Sequence, residues 1–382
     1  MNETQENNEN LSKIYKNRRR KLALQMKNQG VAAILFEDKD GCRDPSVRYY
    51  TGHPNDALFI LFSDETSFLV AWDENLAKER AHADQIIPST KYERNYAKAL
   101  VELLSSYAYE KGSVIAFCEE TQYCQYAKYR EELKDWDIQL KEDSVHNFVR
   151  NMRAVKDSYE IECTKKACAI TDDMTLIIMD GVKSGKFTTE MDVALFVERY
   201  LREKGAERTS FDTLAAGPAR SFAIHAFPGY TGGLWASKGL SILDYGVCYE
   251  GYASDCTITV ANKPSAEQQK LLDLVQTAAD ECRKLYMPGM KISDAVAKAD
   301  QIFAEAGRNM PHGLGHGTGL EIHEAPFVSK RAPKDKTFIP GNIITLEPGL
   351  YDPELGGVRL ENDVLITETG NELLLHSKIF II

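Results

Sequence analysis

An internal repeat in the second half of the chain sets the strongest limit on its fold. A helical pattern from Ser158 runs to a glycine-containing break at 181–185, and a second helix from Thr188 ends at Gly205 before strand patterns begin. The same order then returns as a helix from Ser265, a break at 287–290, a helix from Ser293 ending at Gly307, and further strands. Gly205 and Gly307 suit the left-handed position that follows a helix. Two similar halves would set two strand pairs face to face, which predicts a pocket at their seam.

The length of the chain and its two different patterns of helices and strands predict two domains. A chain of 382 residues exceeds one ordinary hydrophobic core. Over 13–150, helical patterns alternate with short apolar runs such as VAAILFE and SFLVAW, which is typical of an α/β domain. Over 151–382, long helices are followed by hairpin-like segments, so an α+β domain is expected. The first residues, MNETQENNEN, are polar and have no apolar run, so we expect a disordered tail over 1–12.

Composition excludes several classes of function. The net charge of -11 argues against a nucleic-acid partner, because phosphate binding needs a basic face. The one basic cluster, at 16–21, begins an amphipathic helical pattern and is interpreted as a solvated face. No apolar run is long enough to span a bilayer, so a soluble cytoplasmic protein without a membrane partner is expected. The eight cysteines include no C-x-x-C pair, which predicts reduced thiols and no metal site built from sulfur.

Three of the eight histidines fall within the stretch HGLGHGTGLEIHE, from His312 to Glu324. His312 and His316 are four residues apart, but the Gly-Leu-Gly between them is a poor helix interior and lacks the glutamate of an H-E-x-x-H zinc helix. The cluster therefore belongs to a loop or a strand, where glycines let the backbone approach a ligand closely. A single histidine of this kind is more often a packed structural residue, whereas three together favour a functional site.

Four acidic residues flank two predicted hairpins. In LSILDYGVCYEGYASDCTITV, alternating residues surround the turn-like Tyr-Glu-Gly-Tyr, and symmetric pairing about that turn sets Asp244 opposite Asp255. In ITLEPGLYDPELGGVRLENDVLIT, Glu347 and Glu361 are equidistant from a turn rich in proline and glycine. A bulge would shift either register.

Carboxylates that converge in this way need a cation. Each pair at a partly buried site repels by roughly 4 kcal/mol, and the single nearby guanidinium of Arg359 cannot neutralise four acids. Oxygen-rich ligation with one imidazole suits manganese, cobalt, iron or zinc, and bridging carboxylates allow two such ions. The alternative is four ordinary surface acids on strands bounded by loops.

The ordered set LDYG, SDCT, HGLGHGTGLEIHE, LEPGLY and RLEND resembles the signature of metallopeptidases with the creatinase, or pita-bread, fold. These enzymes include methionine aminopeptidase, aminopeptidase P and prolidase. The resemblance continues through FDTLAAGPARSFAIHAFP and RAVKDSYEIE and covers 150–382, while VRYYTG is more weakly similar to a creatinase-type N-terminal domain. It implies a creatinase-like α/β domain over 13–150 and a catalytic pita-bread domain with a pseudo-twofold repeat over 151–382.

The resemblance also implies roles for individual residues. The metal ligands would be Asp244, Asp255, His316, Glu347 and Glu361, with Asp255 and Glu361 bridging two divalent ions, manganese first and cobalt, iron or zinc as alternatives. A hydroxide that bridges the ions would attack the scissile carbonyl. His225 and His323 would stabilise the oxyanion, and Glu347 would accept the proton and pass it to the leaving nitrogen. His312 and Arg359 are expected on the substrate side.

By the same resemblance, the expected substrates are Xaa-Pro dipeptides or peptides with proline at the second position, and the expected assembly is a homodimer. The motifs mix features of aminopeptidase P and of prolidase, so the choice between aminopeptidase and dipeptidase stays open. Ile258 stands where many of these enzymes have arginine, which would remove one charge near the site. Methionine aminopeptidase is disfavoured because it usually lacks an N-terminal domain of this size. A metal-free creatinase-like hydrolase of a small amidine or amide, or a non-catalytic peptide-binding relative, is the alternative, since the fold hosts both.

Overall fold

The computed structural model describes residues 3–107, 110–118, 121–141 and 144–382. The chain forms two compact units, Met1–Met152 and Arg153–Ile382, whereas the sequence places the boundary between residues 150 and 151. No helix in the described ranges combines the length and the apolar character that crossing a membrane requires.

The first unit is a six-stranded mixed sheet with helices. Its strands lie in the order β4-β3-β2-β1-β5-β6, in which β1 pairs antiparallel with β2 and parallel with β5. The apolar runs read as strands in the sequence, VAAILFE and SFLVAW, supply β1 and β3. The helices are α1 (Glu3–Gln29), α2 (Pro45–Thr51), α3 (Glu74–Arg80), α4 (Tyr96–Ser106), α5 (Tyr123–Glu132) and α6 (Val145–Ala154), with a 3-10 helix at Ser89–Tyr92; the strands are β1 (Val31–Asp38), β2 (Ala57–Phe62), β3 (Ser67–Ala71), β4 (Gln85–Pro88), β5 (Val114–Ala116) and β6 (Asp137–Gln139).

Helix α1 differs from the sequence expectation at its start. Residues 3–12 are helical, although a disordered tail was predicted over 1–12. Once residues further along the helix are folded, extending it adds one hydrogen bond for each residue that is fixed, and this costs much less than starting a new helix. A polar composition alone therefore did not locate the helix start.

The basic cluster on α1 is not a fully solvated face, so that interpretation is wrong for two of its residues. Arg18 and Arg19 are buried, each 4% exposed. Their guanidinium groups donate to the carbonyl oxygens of Tyr49 (2.8 Å) and Tyr50 (2.9 Å) in the last turn of α2. Carbonyls in a last helical turn have no partner within their own helix, so these arginines satisfy them.

The second unit contains the repeat that the sequence predicts. Helices α7 and α8 precede one set of strands, and helices α9 and α10 precede another. Gly205 and Gly307 follow α8 and α10 with φ of 78° and 66°. The helices are α7 (Ser158–Lys183), α8 (Glu190–Glu203), α9 (Ala266–Arg283) and α10 (Ile292–Glu305); the strands are β7 (Arg208–Thr209), β8 (Leu214–Ala216), β9 (Gly239–Tyr245), β10 (Val247–Tyr249), β11 (Tyr252–Ala253), β12 (Cys256–Asn262), β13 (Gly315–Gly317), β14 (Glu324–Val328), β15 (Ile343–Leu346), β16 (Gly349–Asp352), β17 (Gly356–Arg359), β18 (Asn362–Ile366), β19 (Asn371–Leu373) and β20 (Ile379–Ile381).

Each half of the repeat packs its helices on its own strands. One apolar cluster joins α7 and α8 to β9 and β12, and a second joins α9 and α10 to β15 and β18. The main sheets have the strand orders β20-β12-β9-β8 and β14-β13-β15-β18-β19. The chain therefore presents one hairpin from each half, and the predicted acidic residues lie at the strand ends of these hairpins.

Candidate metal centre

The first hairpin has a different register from the predicted one. It closes on Glu250 and Gly251, which both have positive φ (47° and 84°), and it pairs Tyr249 with Tyr252. This register sets Asp244 opposite Thr257, so the prediction that Asp244 faces Asp255 is wrong. Side chains alternate along a strand with a period of two, so Asp255 still belongs to the same face as Thr257 and lies diagonally from Asp244. The slip of two residues therefore keeps both acids on one face.

The second hairpin has the predicted register. Strands β15 and β18 pair Leu346 with Asn362, and β16 and β17 pair Gly349 with Arg359. Both pairings have the same register about the turn. Glu347 and Glu361 lie between these two pairs along their strands, so they stand opposite each other. The expectation from their equal distances to the turn is confirmed.

The two hairpins meet through backbone and side-chain hydrogen bonds. The Glu361 N–H donates to the Thr257 carbonyl oxygen (3.1 Å), and the Thr257 hydroxyl donates to Glu361 Oε2 (2.6 Å). One step further, the Thr259 hydroxyl donates to the Arg359 carbonyl oxygen (2.8 Å). These contacts bring carboxylates from both halves of the repeat into one cluster.

The centre of this cluster is a set of three buried side chains. One ligand atom each from Asp255, His316 and Glu361 lies within 4.8 Å of the other two. His316 Nε2 is 3.6 Å from Asp255 Oδ2 and also 3.6 Å from Glu347 Oε1. This combination of carboxylate oxygens and an imidazole nitrogen is a donor set for a divalent first-row metal ion.

His316 is held with its Nε2 facing the carboxylates. It lies in the middle of β13, where its N–H donates to Thr345 Oγ1 (3.0 Å) and its Nδ1 contacts the Gly317 carbonyl oxygen (3.1 Å). Burial lowers the pKa of its imidazole to about 4, so the ring is neutral and its Nε2 lone pair is free. The residue before His316 is a glycine because the strands pack closely there. A Cβ on Gly315 would lie 2.0 Å from the Thr345 carbonyl oxygen.

Burial and mutual repulsion disfavour the charged forms of the acids in the cluster. Burial and the neighbouring carboxylates, Glu361 first among them, raise the pKa of Asp255 well above its usual range. Burial and the neighbouring Glu347 and Asp244 raise that of Glu361 in the same way. Burial, with a smaller contribution from Asp244, raises the pKa of Glu347 to about 8. Asp244 Oδ1 is buried and is among the described side-chain atoms that lack a hydrogen-bond partner. A bound cation would relieve both the repulsion and this missing contact, so the residues fit a metal centre.

Arg359 is the basic residue of the cluster. It is 2% exposed, and Nη2 lies 2.5 Å from Asp244 Oδ2 while Nε lies 4.0 Å from Glu361 Oε2. Nε donates to Thr257 Oγ1 (2.9 Å) and Nη1 donates to the Tyr351 hydroxyl (2.6 Å). These contacts hold the guanidinium of Arg359 against the proposed ligands. They favour a role in supporting the carboxylates over direct contact with substrate.

Three residues that support the site were not predicted from the sequence, namely Thr257, Tyr351 and Asp363. Thr257 orients Glu361, and Tyr351 joins Arg359 to His312, whose Nε2 lies 3.1 Å from the Tyr351 hydroxyl. Asp363 Oδ2 accepts the N–H of Asp255 (2.9 Å). Tyr351 lies within the LEPGLY motif and Thr257 is two residues after Asp255, so motif position and strand alternation were available signals for these two.

The remaining histidines differ in exposure. His323 is exposed and its ring centroid is 4.3 Å from that of His316. His225 is exposed and close enough to His312 and His323 to lower the pKa of each, although burial is the larger cause in both. The structure therefore gathers the four predicted histidines, with His316 buried among the acids and His225 and His323 open to solvent.

The loop that carries His225 is clamped at both ends by one carboxylate. Glu190, 1% exposed at the start of α8, accepts the N–H of Gly217 (2.8 Å) and the N–H of Thr231 (2.7 Å). Arg220 lies 3.4 Å from the same carboxylate. These bonds fix the segment from Gly217 to Thr231, so His225 is presented from an anchored loop.

Ile258 does not remove a charge from this site, contrary to the sequence expectation. It is fully buried in the apolar cluster beneath α7 and α8 and pairs with Leu243. Its neighbours Thr257 and Thr259 contact Glu361 and Arg359, so Ile258 points to the opposite face of β12. An apolar side chain suits that face.

We expect the metal-free protein to lose stability as pH rises from about 7 to 8, where the buried histidines are largely neutral in both the folded and the unfolded state. The acids Asp255, Glu347 and Glu361 have raised pKa values in the folded state, so the folded state binds more protons than the unfolded state in this window. Their stabilising contribution is complete below the unfolded pKa and is lost as pH passes the folded value, about 8 for Glu347. Thermal melts of chelator-treated protein test this, with Mn²⁺-loaded protein as the control. A metal-free melting temperature that climbs across this window would contradict the electrostatic description.

Comparisons with known proteins cover both units. The model of metallopeptidase family M24 matches residues 162–368, and that of the creatinase/prolidase N-terminal domain matches residues 18–155. The Xaa-Pro dipeptidase of Pyrococcus horikoshii is 32% identical over 362 residues, which is 91% of this chain and 97% of that protein. Among solved structures, the X-Pro aminopeptidase from Thermotoga maritima matches with a TM-score of 0.80 at 26% identity, covering 92% of this chain and 98% of its own. The prolidase from Pyrococcus furiosus matches with a TM-score of 0.79 at 26% identity, covering 93% and 99%.

Proposed function

The chain belongs to metallopeptidase family M24, with a creatinase-type N-terminal domain and a pita-bread catalytic domain, and we propose that it hydrolyses Xaa-Pro bonds. The substrates would be Xaa-Pro dipeptides or peptides with proline at the second position. The buried cluster of Asp255, His316 and Glu361, within a family whose relatives include Xaa-Pro dipeptidases, carries this proposal.

We propose five ligands for two divalent ions, with manganese as the first candidate and cobalt, iron or zinc as alternatives. Asp255 and Glu361 come from different hairpins and lie at the centre of the cluster, which suits bridging positions. The outer ligands would be Asp244, His316 and Glu347. When bound, the ions would supply an activated water as nucleophile and polarise the scissile carbonyl.

Glu347 is the carboxylate best placed to exchange protons with substrate. Its side chain is 17% exposed, compared with 6% for Asp255 and 3% for Glu361. A carboxylate at the open side of the cluster can accept a proton from the attacking water and release it to the leaving nitrogen. We therefore assign Glu347 this role in addition to ligation.

His225 and His323 are proposed to stabilise the oxyanion. Both rings are exposed, and the ring of His323 lies against that of the buried His316. A substrate that reaches the acids from solvent would meet these two rings first, and their N–H groups can donate to a developing negative oxygen. His312 lies further in, where it contacts Tyr351.

Proline accounts for the expected specificity. The nitrogen of an Xaa-Pro bond has no N–H, so a peptidase that positions its substrate through that hydrogen cannot use it. A site that holds the carbonyl from the metal side does not need this hydrogen. This argument supports Xaa-Pro cleavage without deciding between dipeptides and longer peptides.

We expect Mn²⁺-loaded enzyme to cleave Xaa-Pro and Xaa-Pro-Yaa peptides and to discriminate against matched Xaa-Ala peptides. About 10–30% of such Xaa-Pro bonds are cis and exchange over tens to hundreds of seconds. If only the trans form binds, excess enzyme will give a fast phase and a slow phase, and a prolyl isomerase will accelerate only the slow phase. Liquid chromatography of the products follows both phases.

One result would overturn this assignment, and another would show that binding is not limited to the trans isomer. Efficient cleavage of Xaa-Ala peptides with no cleavage of any Xaa-Pro peptide would overturn the substrate class. Hydrolysis of Xaa-Pro to completion in a single phase would show that both isomers are accepted. The relative rates for dipeptides and longer peptides would then decide between dipeptidase and aminopeptidase activity.

We also propose a cytoplasmic homodimer. The homodimer comes from the family resemblance, and the cytoplasmic location comes from the cysteine pattern, which predicts reduced thiols. Analytical ultracentrifugation of the full chain, with and without Mn²⁺, measures the mass directly, and a mass of one chain under both conditions would reject the dimer.

A further inference from the structure

A group of four charges, three of them buried, lies at the far end of the histidine motif. It consists of Arg153, Lys156, Glu321 and Glu324, here called the Glu324 cluster. Arg153 Nη2 contacts the Glu324 carboxylate and lies 2.7 Å from Glu321 Oε2, while Lys156 Nζ lies 3.4 Å from Glu324 Oε2. Arg153, Lys156 and Glu324 are 6%, 4% and 7% exposed. Burying charges is costly unless each has a partner, so these three buried residues depend on one another, while Glu321 is exposed.

The Glu324 carboxylate organises the loop that joins His316 to His323. Its Oε1 accepts the N–H of Glu321 (3.0 Å). The carboxylate also packs against the backbone at Gly319, where an added Cβ would lie 2.8 Å from Oε2. The loop therefore folds around this one side chain, and His323 immediately precedes it in the sequence.

The basic side of the cluster is fixed to the sheet that carries the metal ligands. The Lys156 N–H donates to the Gly341 carbonyl oxygen (2.9 Å), and Asn342 Nδ2 donates to the Ala154 carbonyl oxygen (2.7 Å). Gly341 and Asn342 lead directly into β15, which is followed by Glu347. Arg153 and Lys156 thus tie the loop of His323 to the strand that ends at a proposed ligand.

We propose that Arg153, acting through Glu324, is a positioning residue that holds His323 over the site. The proposal rests on the proposed function, in which His323 stabilises the oxyanion. Neither Arg153 nor Glu324 is assigned contact with substrate or metal. Their role is to keep the loop in the one arrangement that sets the His323 ring against His316.

The geometry predicts a loss of turnover without a loss of metal. Replacing Arg153 by glutamine removes the charge that pairs with Glu324 and loosens the loop. Misplacing a catalytic group by about 1 Å can cost roughly a hundredfold in rate, so we expect Arg153→Gln to lower kcat by roughly 10- to 100-fold. KM should change little, because the lost interaction belongs to the transition state.

A double-mutant cycle with His323→Ala tests whether Arg153 acts through His323. If it does, adding Arg153→Gln to the His323→Ala enzyme will leave kcat within about twofold, because the group that it positions is already absent. Leu201→Ala, a fully buried core substitution in α8, is the control for lost stability, and it should keep kcat. If Arg153→Gln does not fold, Arg153→Lys, which keeps the charge but not the planar fork, is used in the same cycle.

A second readout does not depend on the proposed substrate. In protein labelled with ¹⁵N-histidine, the His323 resonances, assigned by their loss in His323→Ala, should shift or broaden in Arg153→Gln and stay in place in Leu201→Ala. Equal losses of kcat in both backgrounds, with unchanged His323 resonances, would overturn the positioning role. If the wild-type enzyme cleaves no Xaa-Pro peptide, the proposed function is wrong. The positioning of His323 by Arg153 is then tested by the His323 resonances alone.

Discussion

Asp255→Asn is expected to lower peptidase activity by roughly a thousandfold or more while leaving the metal-free protein folded. Asp255 lies at the centre of the proposed site, with a carboxylate oxygen within 4.8 Å of a ligand atom of His316 and of Glu361. Metal ions supply several kcal/mol of transition-state stabilisation, and each 1.36 kcal/mol corresponds to a factor of ten in rate. An amide cannot replace a bridging carboxylate, so we expect Asp255→Asn to bind the ions more weakly as well as to lose activity.

The same substitution should not damage the apo fold. It removes one of several mutually repelling acids, and the Asp255 backbone stays fixed because its N–H donates to Asp363. We expect a metal-free melting temperature at pH 8 equal to or above that of the wild type. Asp172→Asn is the matched control, since Asp172 pairs with the exposed His376 at 2.7 Å and is not a proposed metal ligand. An Asp255→Asn protein whose apo form melts far below the wild type would reveal a structural role instead.

Three of the four histidines gathered by the structure, His225, His316 and His323, are expected to separate into two classes on substitution. His225→Ala and His323→Ala should each lower kcat by roughly 100- to 1,000-fold, as removal of an oxyanion donor commonly does, and should keep their metal. His316→Ala should lose metal, because its neutral Nε2 lies among the carboxylates. Elemental analysis of dialysed protein, read together with kcat, distinguishes the two classes.

His376→Ala provides the control for these three variants. His376 is exposed and its ring contacts only Asp172 among the contacts described for it. Its loss should change neither kcat nor metal content. The reverse pattern, with His323→Ala or His225→Ala losing metal and His316→Ala keeping it, would show that the roles within the histidine motif have been exchanged.

The features predicted correctly from the sequence are those with a local signal. The capping box at Ser265 and Gln268 starts α9, and glycines with positive φ follow α8 and α10. The repeat of helix pairs and strands follows from these local signals. The equal spacing of Glu347 and Glu361 about their turn was sufficient because the strands on both sides keep one register.

The errors have equally specific causes. The turn of the first hairpin is centred between Glu250 and Gly251, which both adopt the left-handed conformation that a two-residue hairpin turn needs. Setting Asp244 opposite Asp255 would require a centre one residue earlier, between Tyr249 and Glu250, so that prediction misplaced the centre of Tyr-Glu-Gly-Tyr. Arg18 and Arg19 looked solvated because the carbonyls that they bind belong to α2, about 30 residues away along the chain. Helical periodicity alone does not report such partners.

The supporting contacts of the site could not be predicted from one sequence. Arg153 and Glu324 are 171 residues apart, and Asp255 and Asp363 are 108 apart. Only the fold brings these pairs together, and no spacing rule connects them. By contrast, the ligand candidates stand in short motifs, which is why the resemblance could name them.

The two hairpins and β13 are proposed to build a centre for two metal ions together. Anomalous diffraction from crystals grown with Mn²⁺ tests this directly. We expect two anomalous peaks, both in contact with Asp255 and Glu361, with His316 Nε2 bound to one of them. A single peak that does not contact Asp255, or peaks only at other acidic residues of the chain, would contradict this proposal.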